Sequence, residues 1–406
     1  MWVMNESNRP AAGPLSGVRV LELGNYIAAP TAGRMLADFG AEVIKVERPG
    51  TGDELRNWRL YAGDTSMLFR AVNRNKKSIV VDLKSSDGRD VVLDIAKHCD
   101  VVLENFRPGT LERWGLGPDA LDAVNGRIVM VRISAFGQTG PMAGQPGFAA
   151  VAEAAGGLRE LVGDPDRPPS RVGVSIGDSI AGLYGAFGAV MALFAQGRSA
   201  VPVALEQRII DVALNESVLS MMESLVPDYL AYGVERHRTG GRMEGIAPSN
   251  AYECADGASV VIAGNGDAIF RRYMTVIGRD QLGVRVDLQT NAGRWAARDE
   301  LDEAIAEWTT GRSRDEVLAA LAGAGIPAGP INTAADICVD RQLLSRNMIQ
   351  VFDVDTGEAE PKPVGFAGIV PVIGGRSRPI NAPGPDLGQH TEEVLAELAG
   401  RTVVAR

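Results

Sequence analysis

Short apolar runs separated by amphipathic stretches set the rhythm of the first half of the chain. Residues 18–23 (VRVLEL), 42–47 (EVIKVE), 78–83 (SIVVDL), 100–104 (DVVLE) and 128–134 (IVMVRIS) read as strands. Residues 32–39 and 87–98 carry the spacing of helices. Strands alternating with helices predict βαβ units and a mostly parallel sheet covered on both faces. Residues 178–194 form one long helix of small side chains. Its glycines at 182, 185 and 188 recur every third position and predict close packing on another backbone. Residues 207–231 read as one or two helices. The texture then changes. An arginine- and glycine-rich loop, RHRTGGRMEG at 236–245, precedes a hairpin at 252–263 that turns at Asp256-Gly257. Helices around 267–276, 299–309 and 314–322 complete a smaller α/β unit. A strand-like run at 350–354 and a helix at 391–398 follow.

Composition narrows the class. The 406 residues allow two or three domains, and a net charge of −10 argues against a general nucleic-acid binder. An anionic ligand must therefore be held by local basic clusters. Three cysteines without a CxxC pair exclude a disulfide framework and a zinc ribbon, and three histidines without HExxH spacing give no metal site. The N-terminal residues show no basic-then-apolar leader pattern. The long uncharged stretch from Ser179 lies inside an αβ pattern and reads as a buried helix rather than a membrane span. These features predict a cytoplasmic protein.

A dinucleotide site requires GxGxxG at the first turn so that backbone can approach a pyrophosphate. Here the turn reads Gly24-Asn25-Tyr26-Ile27-Ala28-Ala29-Pro30, with bulky residues where glycines are needed. Three other features carry chemistry. Arg48 in ERPGTGD, Lys76 and Lys77 in NRNKKS, and Arg113 in ENFRPGTLERWG are basic residues at loop edges, where their tips can converge on a multiply anionic ligand. Residues 134–148 (SAFGQTGPMAGQPGF) make a glycine-rich loop directly after a strand, hence at the carboxyl end of the sheet, where such folds bind ligands. In GVSIGDSIAGLYG, Asp178 stands at the expected start of a helix. It is either a helix N-cap or a carboxylate kept ionised by the helix dipole, able to attack an activated acyl donor.

These residues, in this order, resemble the class III CoA-transferases. The resemblance is carried by LSGVRVLELGNYIAAPTAGRMLADFGAEVIKVERPGTGD, NRNKKSIVVDLK, VVLENFRPGTLERWGL, ISAFGQTGP, GVSIGDSIAGLYGAFG and GPDLGQHTEEVL. It implies a Rossmann-like large domain with a parallel sheet, a smaller α/β domain, and a homodimer of two interlocked rings. The large domain would take residues 15–205 and, after a linker at 206–225 and a small domain at 226–325, a C-terminal return within 326–406. Coenzyme A would be bound as an acyl-CoA co-substrate near Arg48, Lys76, Asn105, Phe106, Arg113, Ser134 and Phe136, and the position matching the family's nucleophile is Asp178. No metal is implied. Asn25-Tyr26-Ile27, Ser134 and Phe136 depart from the formyl-CoA enzyme, so the resemblance does not extend to its oxalate pocket. The related 2-methylacyl-CoA racemases use a Gly-His-Asp motif, and Gly144-Gln145-Pro146 at that place has no base.

The resemblance thus implies a transferase that moves coenzyme A between carboxylic acids through an aspartyl-CoA thioester and mixed anhydrides. Succinyl-CoA or another dicarboxylyl-CoA is the expected donor. Each intermediate is itself activated, so neither metal nor ATP is needed, and each nucleophile is already an anion, so no general base is required. The Gly240-Gly241 region is a candidate oxyanion donor and residues 238–245 a candidate lid. The alternatives are a racemase-like isomerase and a non-catalytic acyl-CoA-binding protein.

Overall fold

The computed structural model describes residues 13–62, 65–201 and 203–404, with side chains to 400. Two compact units emerge. Of the described residues, the larger holds those up to Leu158, then those of Val172–Glu223, then those from Arg341 on. The smaller holds Arg159–Arg171 and Ser224–Asp340.

The larger unit is built on six parallel strands: β1 (Arg19–Glu22), β2 (Glu42–Glu47), β3 (Lys77–Val80), β4 (Val101–Glu104), β5 (Val129–Ser134) and β6 (Ile209–Ala213). Their order across the sheet is β3-β2-β1-β4-β5-β6, with every pairing parallel. The order reverses between β1 and β4, and a doubly wound sheet opens its ligand crevice at that point. Both faces are covered, as a parallel sheet requires. Val20, Val43, Val101, Val131 and Ile133 meet helices α1 (Ala28–Asp38) and α2 (Ile176–Arg198) on one face. Leu21, Ile44, Ile79, Val102 and Met130 lie on the other face, with Val92, Ile95, Leu121 and Val394. One expectation is corrected: β6 lies inside the segment read as helical. Its run IIDVA lies directly between helices at Leu205–Arg208 and Leu214–Leu219 with no bounding turn residues, so apolar spacing alone does not separate a strand from a buried helix turn.

Helix α2 has the length and apolarity of a membrane span, yet its inner stripe packs on the sheet and α1. The glycines explain how. A Cβ on Gly182 would stand 2.7 Å from the Ala28 carbonyl oxygen, one on Gly188 2.6 Å from Ile210 Cγ2, and one on Gly185 3.2 Å from Ile133. The every-third-residue pattern therefore marks the line along which α2 touches its neighbours.

The last segment of the chain seals the outer strand. Edge strands expose unpaired backbone groups, and along β3 the tail satisfies them. The Ser78 N–H donates to His390 Nδ1 at 3.2 Å and the Val80 N–H to Thr391 Oγ1 at 3.0 Å. The smaller unit carries an antiparallel sheet of β7 (Ser249–Glu253), β8 (Ser259–Ala263) and β9 (Ala328–Pro330), over which Phe270, Met274, Leu301, Ile305 and Leu321 pack.

Replacing Gly182 with Ala should cost roughly 1–3 kcal/mol by overpacking against α1. Gly197, on the same helix, has open space around a Cβ, so Gly197→Ala should be neutral or stabilise by up to about 1 kcal/mol. Urea unfolding of the two variants checks the contrast.

Candidate active site

At the carboxyl ends of β1 and β2 the chain buries six charges. Glu22, Lys45, Glu47, Asp53, Arg56 and Lys76 are all nearly solvent-inaccessible. Three are acidic and three basic, so the set is neutral. Lys45 Nζ meets Asp53 Oδ2 at 2.8 Å and Glu22 Oε1 at 3.1 Å, and donates to the Gly24 carbonyl at 2.7 Å. Lys76 Nζ takes the other Glu22 oxygen at 2.7 Å and donates to the Pro30 carbonyl and Asn73 Oδ1. Arg56 forks onto Glu47 with two 2.7 Å bonds. Burial works against the Lys45 ammonium, but Asp53 and Glu22 outweigh it and hold its pKa above the usual range. Lys76 shares only Glu22, its other partners being neutral, and burial pushes it down to about 8.

This network places the expected residues differently from one another. Lys76 is an internal anchor, not a loop-edge cation. Arg48 lies at the surface of the β2 loop, about half exposed, paired with Glu54 at 2.8 Å and donating to the Gly52 carbonyl. Arg113 is exposed and donates to Thr110 Oγ1. Asn105 lies at the reversal between β1 and β4. Its Oδ1 accepts from the Asn25 N–H at 2.9 Å and its Nδ2 donates to the Asn25 carbonyl at 2.7 Å. The two loops that flank the crevice are thereby latched together. Phe106 packs edge-on to Trp114, ring centroids 5.1 Å apart.

Beneath Phe106 sits Glu104, buried at the end of β4. It accepts the Phe106 N–H at 2.8 Å and pairs with Arg132 Nε at 2.7 Å, while Arg132 also reaches Glu112 at 2.8 Å. Burial pushes the Glu104 carboxyl up to about 7 despite the pull of Arg132. Ser134 is buried at the end of β5 with an unpartnered hydroxyl, and Phe136 packs onto the core. Asp211 accepts the Gln138 N–H at 2.9 Å and so steadies the glycine-rich loop after β5.

Asp178 is the third residue of α2, and the N-cap is Ser175. The expectation of a capping role is corrected by that offset. The carboxylate stands in the first turn, partly exposed, where the helix dipole favours negative charge. The neighbours of this turn come from two places. A Cβ on Gly182, one turn further along, would touch Ala28 at the start of α1, and one on Gly177 would lie 3.5 Å from the Ala149 carbonyl and 3.4 Å from Glu153 Cγ. Glu153 is buried. Sequence reasoning passed over it, although a single carboxylate in an alanine run (AAVAEAA) was a usable signal. It also passed over Tyr26, whose φ of 62° is uncommon outside glycine. The loop with Gly240-Gly241 belongs to the smaller unit, where Arg242 is tied to Asp302 at 2.6 Å and Arg238 to Glu160 at 2.8 Å.

The profile of CoA-transferase family III matches residues 15–391. The chain is 43% identical to succinyl-CoA–D-citramalate CoA-transferase of Chloroflexus aurantiacus, over 98% of this chain and 96% of that one. It is 37% identical to the beta subunit of succinyl-CoA–L-malate CoA-transferase from the same organism, over 95% and 94%. A crystal structure of a CAIB/BAIF family protein from Brucella suis superposes with a TM-score of 0.83 at 34% identity, covering 95% of this chain and 100% of that one.

The raised carboxyl of Glu104 has a stability signature. Between about 4.5 and about 7 the folded state holds the Glu104 proton and the unfolded state has lost it. This contribution is complete below about 4.5 and disappears as pH rises through about 7. Glu104→Gln removes the titration. The unfolding free energy of wild type minus that of the variant should therefore fall by roughly 1–3 kcal/mol from pH 4.5 to 8. Denaturant midpoints across that range measure it.

Proposed function

The chain belongs to CoA-transferase family III, and from that premise we propose that it carries coenzyme A from succinyl-CoA or another dicarboxylyl-CoA to a hydroxy dicarboxylic acid, with Asp178 as covalent nucleophile. The observation that carries this reading is the position of Asp178: a partly exposed carboxylate in the first turn of α2, beside the start of α1. The substrate class is supported by the names of the two relatives, which pair succinyl-CoA with citramalate and with malate.

The reaction runs as four displacements. The Asp178 carboxylate attacks the thioester carbonyl; the C–S bond breaks, CoA thiolate leaves, and an acyl–aspartyl anhydride remains. The thiolate attacks the aspartyl carbonyl, expels the donor acid as its carboxylate, and forms an aspartyl–CoA thioester. The acceptor carboxylate attacks that thioester and again releases thiolate. The thiolate then attacks the acceptor's acyl carbon, which yields the new acyl-CoA and restores Asp178. Every nucleophile and every leaving group is an anion, so no general base is required. Arg48 and Arg113 are the exposed cations available to the phosphates of coenzyme A, while Lys76 supports the site from inside. The racemase reading is not favoured: both relatives named above are transferases, and no base stands at 144–146.

A homodimer completes the proposal. Leu183, Phe187, Val190, Met191 and Phe194 make an exposed apolar stripe on α2, on a helix otherwise buried against the sheet. A stripe of that kind supports a partner surface. Sedimentation at nanomolar concentration should give twice the 43.0 kDa chain mass, and a folded monomer would refute the dimer.

Asp178→Asn separates chemistry from folding. The side chain is not the N-cap, so the variant should unfold within about 1 kcal/mol of wild type. Its turnover should drop by roughly 10⁴ to 10⁶, because an amide forms no anhydride. Wild type incubated with acyl-CoA alone should give a hydroxylamine-trappable adduct at Asp178. Retention of a tenth of the rate would end the nucleophile assignment. A matrix of acyl-CoA donors against acids, read by mass spectrometry, tests the substrate class; the largest rates are expected for succinyl-CoA with malate or citramalate.

A further inference from the structure

Tyr26 adopts a left-handed backbone, φ 62°, in the loop that opens between β1 and α1. A bulky residue holds such a conformation only where its surroundings over-determine it, and such outliers gather at functional sites. Its surroundings do this on every side. The Tyr26 N–H donates to Asp53 Oδ1 at 3.0 Å. Both backbone groups of Asn25 are bound by Asn105. Ile27 is buried. The result is to aim the phenol ring at two others: Trp58 at 5.4 Å and Phe148 at 5.9 Å between centroids, the latter edge-on. Trp58 is 39% and Phe148 66% exposed, so the trio forms a surface rather than a core.

The location of that surface gives it a purpose. Tyr26 lies two residues before Ala28, and Phe148 one residue before Ala149. These are the two segments that pack on either side of the first turns of α2, at Gly182 and at Gly177. The Tyr26–Phe148 contact therefore links the two segments that flank the first turns of α2, the turns that carry Asp178. Burial, with Glu54 and Asp53 nearby, raises the Tyr26 phenol, so the ring stays neutral beside an anionic reaction.

We propose that Tyr26, buttressed by Trp58 and Phe148, is a positioning residue that walls the acyl group of the substrate against Asp178 and keeps water from the anhydride. The proposal rests on Asp178 being the nucleophile. An acyl–aspartyl anhydride partitions between thiolate or carboxylate attack and hydrolysis, so a wall acts on that ratio rather than on the displacement itself.

The test uses the full-length protein with the acyl-CoA donor that wild type turns over fastest and its own labelled acid. Label exchange into the thioester measures transfer, and free coenzyme A measures hydrolysis. Tyr26→Gly suits the backbone, since glycine takes a positive φ freely, so the variant should stay folded, losing only the ring contacts to Trp58 and Phe148. Its hydrolysis-to-exchange ratio should rise by roughly tenfold or more, while Tyr26→Phe, which keeps the ring, should match wild type. A ratio within twofold of wild type in Tyr26→Gly, alongside an inactive Asp178→Asn, overturns the wall alone. An equal rise in Tyr26→Phe and Tyr26→Gly also overturns it, because the hydroxyl and not the ring would then be acting. Exchange that persists in Asp178→Asn overturns the nucleophile, and the wall with it.

Discussion

The carboxyl end of the sheet depends on one neutral knot of buried charge. Removing six ionised groups from water is expensive, and each pairing repays it only if its geometry is satisfied. Glu22 stands at its centre, with Lys45 on one oxygen and Lys76 on the other. Through these two ammoniums the knot grips the Gly24 carbonyl before the first turn and the Pro30 carbonyl after it. Through Asp53 it holds the Tyr26 N–H, and through Arg56 it reaches the Pro385 carbonyl of the tail. Loss of one member leaves a buried partner uncompensated, at roughly 3–5 kcal/mol. An apolar knot of equal volume could be as stable, but it would not specify where three loops must meet.

That specification is what the candidate chemistry requires. Asp178 stands in the first turn of a long helix, in the turn whose Gly177 lies against the buried Glu153, and the loops at the carboxyl end of the sheet are held at fixed separation. Exchange through anhydrides needs placement and dryness more than acid–base catalysis. The Asn25–Asn105 latch fixes the crevice at the strand reversal, and the Glu104–Arg132–Glu112 chain sets the loop beside it.

Much of this could be read from the amino-acid order, and what escaped did so for physical reasons. The first five strands and the hairpin at Asp256-Gly257 showed in apolar runs and turn residues. Strand β6 did not, since its run IIDVA sits directly between helical stretches at Leu205–Arg208 and Leu214–Leu219 with no turn residues to bound it. Arg48, Arg113 and the glycine-rich loop after β5 were visible as polar tips on turn-forming sequence. The charged knot was not: a lysine or glutamate is taken as solvated until three-dimensional partners are known, so Lys76 was placed at a surface it never reaches. Lys45 and Glu47 alternate with apolar residues in EVIKVE, the pattern of a half-exposed strand, although both faces here are covered. Tyr26 was invisible for a different reason, as nothing in a tyrosine's chemistry advertises a left-handed backbone.

The tail that closes β3 bears on how the protein can be made. The larger unit draws on residues at both ends of the chain. While a ribosome is still copying the middle of the message, the outer strand lacks the partners at His390 and Thr391, and Arg56 lacks the Pro385 carbonyl. The smaller unit, by contrast, needs nothing beyond Asp340. It can mature on the ribosome first, while the six-stranded sheet waits, its edge open to foreign strands, until residues 385–391 have been translated. Loss of the segment that holds His390 and Thr391 would leave that edge open for good.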